Sequence, residues 1–209
     1  MTGEPMSGQV FSNIAAYFDR LVRQYGHDIR AIDYGRATTQ TLKFSVLCDG
    51  LDLAGKSVLD VGCGFADLSR YLSARNIDVA YTGIDISGEM VAAARALDAA
   101  LPLIHGNILE AEMPEKSFDI VIATGVFYLL GPDAEALSRQ LIARAFSIAR
   151  EAVAFSTLST WAPYVENDEH HSDPVALLDF CRGLTPHVAL RHDYHPRDMT
   201  FFLYRSLRT

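Results

Sequence analysis

The stretch Asp60-Val61-Gly62-Cys63-Gly64-Phe65-Ala66-Asp67 stands where a β-branched run, Ser57–Val61, ends and a helical pattern, Ala66–Arg75, begins. Two glycines at that junction let the backbone turn sharply and approach a ligand closely. The helix that follows presents free N–H groups to anionic atoms. A tight strand-to-helix turn would use the same glycines without any ligand, so the next acid matters. Asp85 closes the following apolar run, Val79–Ile86, 25 positions after Asp60. A carboxylate there can accept both hydroxyls of a ribose. As a plain helix-terminus charge it would simply sit beside Ser87.

Strands and helices alternate through the rest of the chain. Gly88–Ala100 is an alanine-rich helix, Pro102–His105 a short strand, Phe118–Ala123 a nearly wholly apolar strand. Ala134–Ala149 is helical, Glu151–Leu158 extended and Val175–Arg182 helical. Such alternation implies parallel strands joined by right-handed crossovers, and runs apolar on both faces imply a sheet covered on both sides. The chain then reads HVALRHDY, HPRD, MTFFLYRSL. That link is too short for a crossover, so the last two strands must be antiparallel. Upstream, Ile14, Phe18, Leu21 and Val22 recur at helical spacing within Val10–Gln24, with Tyr25 just after it in the same spacing, following a tail over residues 1–9. A second helix is expected over Thr38–Cys48, with Leu42, Ser45 and Val46 on one face. Residues 1–52 read as a helical cap and 53–209 as the α/β core of one domain.

Composition narrows the class. The 209 residues are 49% hydrophobic and 21% charged, an ordinary globular balance. A net charge of −8 argues against a protein held to phosphate backbones, so no nucleic-acid partner is expected. Cys48, Cys63 and Cys181 are scattered and form no C-x-x-C, which fits a reducing compartment and neither a zinc site nor a redox dithiol. The opening MTGEPMSGQ lacks a basic, apolar leader, and the longest apolar run, Ile120–Leu130, falls short of the ~20 residues that span a bilayer. A cytoplasmic protein without a membrane partner is the expectation. Oligomeric state is not legible.

The ligand can be narrowed further. A dinucleotide fingerprint places a third glycine where Asp67 stands, which disfavours a nicotinamide cofactor. An acid two residues before the first glycine has a reason if the ligand carries an ammonium. VLDVGCGFADLSRYL, then YTGIDIS, then FDIVIATGVF resembles the class I S-adenosylmethionine-dependent methyltransferases over residues 57 to about 160. The resemblance implies a Rossmann-like, seven-stranded, mostly parallel sheet with an antiparallel last strand, helices on both faces and a variable N-terminal helical cap. It implies S-adenosylmethionine as cofactor and S-adenosylhomocysteine as product. By that resemblance Gly62, Cys63 and Gly64 lie against the methionine part with Asp60 behind it. Asp85 holds the ribose, and Ile86 and Met90 cover the adenine. Asn107 stands where many members carry an acid for the adenine amino group, and an amide oxygen can accept that bond. Ile108 meets the adenine edge, and Ala123 and Thr124 line the cofactor near sulfur. The proline-glycine-glycine turn common before the fifth strand is absent, as is the Asn-Pro-Pro-Tyr signature of amino-directed nucleic-acid methylases.

The acceptor then belongs beyond the carboxyl ends of the strands. In-line positioning supplies most of the catalysis of methyl transfer, and a base is needed only where the nucleophile must lose a proton. His192, Tyr194 and His195 in the last turn, His27 and Tyr34 near the cap, and Tyr128 after the fourth strand are the candidates. Bland roles compete. His192 and Tyr194 alternate with Val188 and Leu190 as a strand face would, Tyr128 and Phe127 suit a core, and His27 sits in a polar segment. Trp161 could stack on a substrate or anchor its loop, and Arg36 could pair with a carboxylate or lie on the surface. The acids and histidines of Glu166–His171 read as a solvated loop, with no metal expected. The expected function is methyl transfer to an O or N atom of a small metabolite. A nicotinamide-dependent oxidoreductase and a non-catalytic cofactor-binding module are the alternatives.

Overall fold

A computed structural model of the protein describes residues 6–33, 37–166 and 168–207. Seven strands form one sheet: β1 (Ser57–Val61), β2 (Ala80–Asp85), β3 (Leu103–His105), β4 (Phe118–Thr124), β5 (Ala149–Leu158), β6 (His187–Arg191) and β7 (Asp198–Tyr204). Their order is β3-β2-β1-β4-β5-β7-β6. β1 to β5 pair in parallel, and β7 runs antiparallel to both β5 and β6. The chain winds outward from β1 through β2 to β3, then returns to place β4 on the other side of β1. The strand order therefore reverses between β1 and β4, and a crevice opens there at their carboxyl ends.

The alternation of side chains decides which helices cover which face. Val58, Ile120, Ile122, Ala152, Ala154 and Phe202 share one core with α2 (Ala37–Gly50), α3 (Asp67–Ser73) and α4 (Gly88–Leu97). Leu59, Val121, Ala123, Val153, Phe155 and Phe201 share the other with α5 (Ala134–Ile148) and α6 (Pro174–Leu184). Phe155 and Phe201 stack with ring centroids 5.1 Å apart across β5 and β7. Truncating such a buried ring costs about 3–5 kcal/mol.

α1 (Met6–Tyr25) docks on the start of α4. Ser87 Oγ donates to Asp19 Oδ1 at 2.6 Å, and the Glu89 N–H donates to the same oxygen at 3.2 Å. Val22, Ala31, Phe65 and Met90 form a small third core beneath it.

The structure shifts some boundaries. α1 begins at Met6, inside the stretch read as a tail. α2 buries Lys43, Phe44, Val46 and Leu47, whereas Leu42 and Ser45 are only half-buried. Its face is turned by two tertiary contacts, the ion pair of Lys43 with Asp198 and the packing of Gly50 on Phe202. β6 stops at Arg191, so His192 and Tyr194 lie in the turn before β7 and not on a strand. Tyr34 and Arg36 lie outside the described residues.

Candidate active site

The β1–α3 loop is folded around Asp85. The Gly64 N–H donates to Asp85 Oδ2 at 2.8 Å, and the Ser87 N–H donates to Oδ1 at 2.9 Å. Gly62 has φ +71°, and a Cβ there would meet Val126 Cγ1 at 2.2 Å, so only glycine fits between the loop and the segment after β4. Each Asp85 oxygen keeps a lone pair for a further donor. Burial raises the Asp85 pKa against the pull of those two N–H groups.

Asp60 lies at the bottom of the cleft with 5% of its surface exposed. Tyr81 Oη donates to its Oδ2 at 2.7 Å. Burial pushes the Asp60 carboxyl up to about 7, opposed by the tyrosine and reinforced by Asp85 and Asp67. A buried carboxylate in that state is stabilised by an arriving cation.

Asn107 also points to a ligand. Its Oδ1 accepts from the Leu109 N–H at 3.0 Å, while its Nδ2 is buried without a hydrogen-bond partner. The sequence suggested an accepting amide oxygen here, but the group left over is a donor.

One cleft gathers Asp60, Gly62, Cys63, Gly64, Asp85, Ile86, Met90, Asn107, Ile108 and Thr124. Ala123 is not in its wall. It points to the opposite side of β4 and packs with Leu59 and Val61, as strand alternation requires. Cys63 contributes backbone, since its Sγ lies where a Cβ on Gly83 would meet it at 2.7 Å. Burial raises the pKa of that thiol.

The cap supplies residues not assigned to the site from sequence. Phe11, Ile14 and Phe18, at spacings of three and four, line the cleft from α1, and Ile32 joins them. Their helical periodicity was visible, but not what they cover. Gly125 and Val126 also line it, and the glycine that ends the apolar β4 run was the available signal.

The proposed bases separate. Tyr128 lines the cleft, and its hydroxyl donates to Asp33 Oδ2 at 2.9 Å. His27 sits outside, edge-on to Phe65 and near Arg70 and Asp67. His192 rests against Trp161 with its Nε2 buried and unpartnered, and neither ring lines the cleft. Tyr194 is turned into the sheet, where its hydroxyl and that of Thr200 lie 2.8 Å apart. No cluster able to hold a metal occurs among the described residues. The Glu166–His171 run is instead tied down by contacts of Arg197 with Glu166 and Glu169, and of His171 with Ser159.

A nucleoside that also carries an ammonium would meet each of these features: a buried carboxylate with free lone pairs at the end of β2, a glycine turn and a second buried carboxylate short of a cation. That is the ligand of class I S-adenosylmethionine-dependent methyltransferases, and the sheet order is theirs. Comparison with known proteins agrees. Residues 58–146 match the methyltransferase domain family. A protein of Mycobacterium tuberculosis H37Rv that bears a methyltransferase name is 31% identical over 157 residues, covering 72% of this chain and 93% of that protein. The cyclopropane-fatty-acyl-phospholipid synthase of Escherichia coli K12 is 33% identical over 100 residues, which are 46% of this chain and 25% of that enzyme. Among solved structures, magnesium protoporphyrin IX methyltransferase from Synechocystis PCC 6803 with bound S-adenosylhomocysteine superposes with a TM-score of 0.68. It is 18% identical and covers 93% of this chain and 99% of that one. The chain belongs to the methyltransferase domain family and is an S-adenosylmethionine-dependent enzyme of class I.

Proposed function

We propose that the protein transfers a methyl group to an O or N atom of a small metabolite, acting in the cytoplasm as one domain with residues 1–52 as cap and 53–209 as core. The observation that carries this reading is a second, more polar cavity of about 620 Å³ that adjoins the donor cleft and shares Gly125 and Tyr128 with it. A volume of that order suits a small ligand. The net charge of −8 argues against a partner held by its phosphate backbone, and no helix among the described residues is long and apolar enough to cross a membrane.

S-adenosylmethionine, when bound, supplies a methyl group on a positively charged sulfur. The chain's own part is to bind, orient and seal. Asp60 would receive the ammonium of the donor and Asp85 its ribose hydroxyls. Ile86, Met90 and Ile108 would flank the adenine, and Asn107 Nδ2 would donate to a ring nitrogen. Phe11, Ile14 and Phe18 cover the cleft with apolar surface, which strengthens the polar contacts inside it. The wall around Gly125 and Tyr128 then presents the acceptor, and most of the rate comes from that orientation.

Thermal unfolding with S-adenosylhomocysteine, with NADH as control, tests the reading. A ligand at ~100 times its dissociation constant adds about 2.7 kcal/mol, or roughly 5–10 °C for a domain of this size. A shift with S-adenosylhomocysteine alone supports it. A shift with NADH alone would replace it with an oxidoreductase. With labelled donor and a small-molecule extract, label on an O or N atom of a low-mass product supports the acceptor class, and label found only in protein or nucleic acid overturns it.

A further inference from the structure

The second cavity is acidic. Asp33 enters it from the cap, Glu166 and Glu169 from the loop after β5 and Asp198 from the start of β7, against Lys43 and Arg197. Lys43 pairs with Asp198 at 2.8 Å. Arg197 serves both glutamates and lies over the Tyr164 ring, 4.7 Å from its centroid. His195 adds no charge at neutral pH. Its Nδ1 accepts from the Arg197 and Asp198 N–H groups at 3.3 and 3.2 Å, and burial holds the imidazole below its ordinary pKa. Four acids against two cations leave two negative charges over. One of them is Asp33, which accepts from the Tyr128 hydroxyl at 2.9 Å and forms no ion pair among the described residues.

The same wall holds a polar group without a partner. Ser156, on β5, is 2% exposed, and its Oγ is buried without a hydrogen bond. It takes the face of Ala154, toward α2, and lines the cavity near the carboxyl end of the strand. Buried hydroxyls are seldom left unpaired, and this one can accept a hydrogen bond from a ligand.

We propose that this cavity binds its acceptor as an organic ammonium, with Asp33 as counter-charge and Ser156 Oγ accepting a hydrogen bond from the same molecule, and that the ammonium nitrogen is the atom methylated. The inference rests on the methyl-transfer reading and narrows its acceptor to a primary or secondary amine. One proton of the ammonium leaves to solvent. The lone pair so freed forms the bond to the methyl carbon, and the pair of the broken carbon–sulfur bond stays on sulfur. The positive charge thereby passes from sulfur to nitrogen.

That passage of charge favours nitrogen. Surplus carboxylates facing the cavity stabilise positive charge as it arrives on an amine. They oppose a hydroxyl, which gains negative charge as its proton leaves, and they repel a carboxylate or phosphate on approach. Tyr128 and Tyr164 line the same space, and aromatic faces attract organic cations. The acids are spread around the wall, and no group able to hold a metal ion occurs among the described residues. Asp33 also stands at the right place. Tyr128, whose hydroxyl it holds, lines the donor cleft as well, so an ammonium at Asp33 lies beside the opening between the two chambers.

Three compounds of similar shape test the charge preference: 2-phenylethylamine, 2-phenylethanol and phenylacetate. Each is titrated by calorimetry into protein saturated with S-adenosylhomocysteine, and only the amine is expected to bind. Asp33→Asn keeps an oxygen for the Tyr128 hydroxyl and suits the left-handed backbone there, at φ +57°. It should weaken amine binding about ten-fold, and Ser156→Ala about five-fold. Affinity for S-adenosylhomocysteine should agree within about two-fold among the three proteins. Failure of the wild type to bind S-adenosylhomocysteine would instead overturn the methyl-transfer reading itself. With labelled donor and a small-molecule extract, the product should be a methylamine that a cation exchanger retains at neutral pH. No binding of the amine, equal binding of the alcohol or the carboxylate, amine affinity unchanged in either variant, or a labelled ether or ester would each overturn the proposal.

Discussion

The Tyr81 hydroxyl donates to Asp60 Oδ2 at 2.7 Å, and both side chains are buried. β2 thus holds in place the acid that β1 delivers to the cleft. The carboxyl titrates at about 7 in the folded chain and near 3.9 when unfolded. Between those values the folded state binds the extra proton, so this group favours folding most below about pH 4 and loses that contribution as pH rises to 7. The melting temperature without ligand should fall from pH 5 to pH 8, and fall less in Asp60→Asn. The affinity for S-adenosylhomocysteine should rise over the same interval in the wild type and stay weak and flat in the variant. Calorimetry at the two pH values reads both.

Asp85 shapes the loop and lines the cleft, and the proposed function gives it the ribose hydroxyls. Charge-assisted hydrogen bonds contribute about 1.5–3 kcal/mol each, so Asp85→Ala should weaken S-adenosylhomocysteine binding by on the order of 100-fold. The freed Gly64 and Ser87 amides should also exchange hydrogen faster. Unchanged affinity in a folded variant would remove the ribose assignment.

Gly62→Ala forces a Cβ to within 2.2 Å of Val126 Cγ1 at a backbone φ of +71°. The expected loss is about 2–3 kcal/mol, from overpacking and left-handed strain together. Val126→Ala in the same chain should recover the overpacking part and leave roughly 1 kcal/mol of backbone strain. A double-mutant cycle by urea unfolding measures the coupling, and strict additivity would refute the contact.

Asp19→Ala removes the acceptor that ties α1 to Ser87 and Glu89 at the start of α4. Stability should drop by about 1–3 kcal/mol. Hydrogen exchange should quicken in α1 and at the start of α4, with β1 and β4 unaffected. Donor affinity should weaken too, because Phe11, Ile14 and Phe18 line the cleft from the released helix.

Lys43→Met leaves Asp198 buried without its ammonium. Breaking one side of a buried pair costs about 3–5 kcal/mol, so this variant should unfold well below the wild type in urea. Lys43→Met with Asp198→Asn should recover much of the loss.

Part of the site was legible because it lies on one short segment or at a strand end. Gly62 and Gly64 take positive φ in a tight strand-to-helix turn, which is a local demand, and Asp60 and Asp85 lie at strand ends, whereas the crowding of Gly62 by Val126 is tertiary. The acceptor side was not legible in the same way. His192, Tyr194 and His195 are all titratable and lie within four consecutive positions of the chain. Only the point where β6 stops, at Arg191, and the turn into Asp198 send Tyr194 into the sheet, His192 against Trp161 and His195 to the cavity.

The order of apolar runs and glycine breaks in this chain determined the α/β alternation, its antiparallel close and the glycine turn after β1, because periodicity and chain reach are local properties. Tertiary structure alone decided the face of α2, the covering of the cleft by Phe11, Ile14 and Phe18, and the meeting of Lys43, His195 and Asp198. Those depend on which surfaces the sheet leaves to be buried, and Lys43 reaches Asp198 across 155 positions of chain only after the sheet has closed.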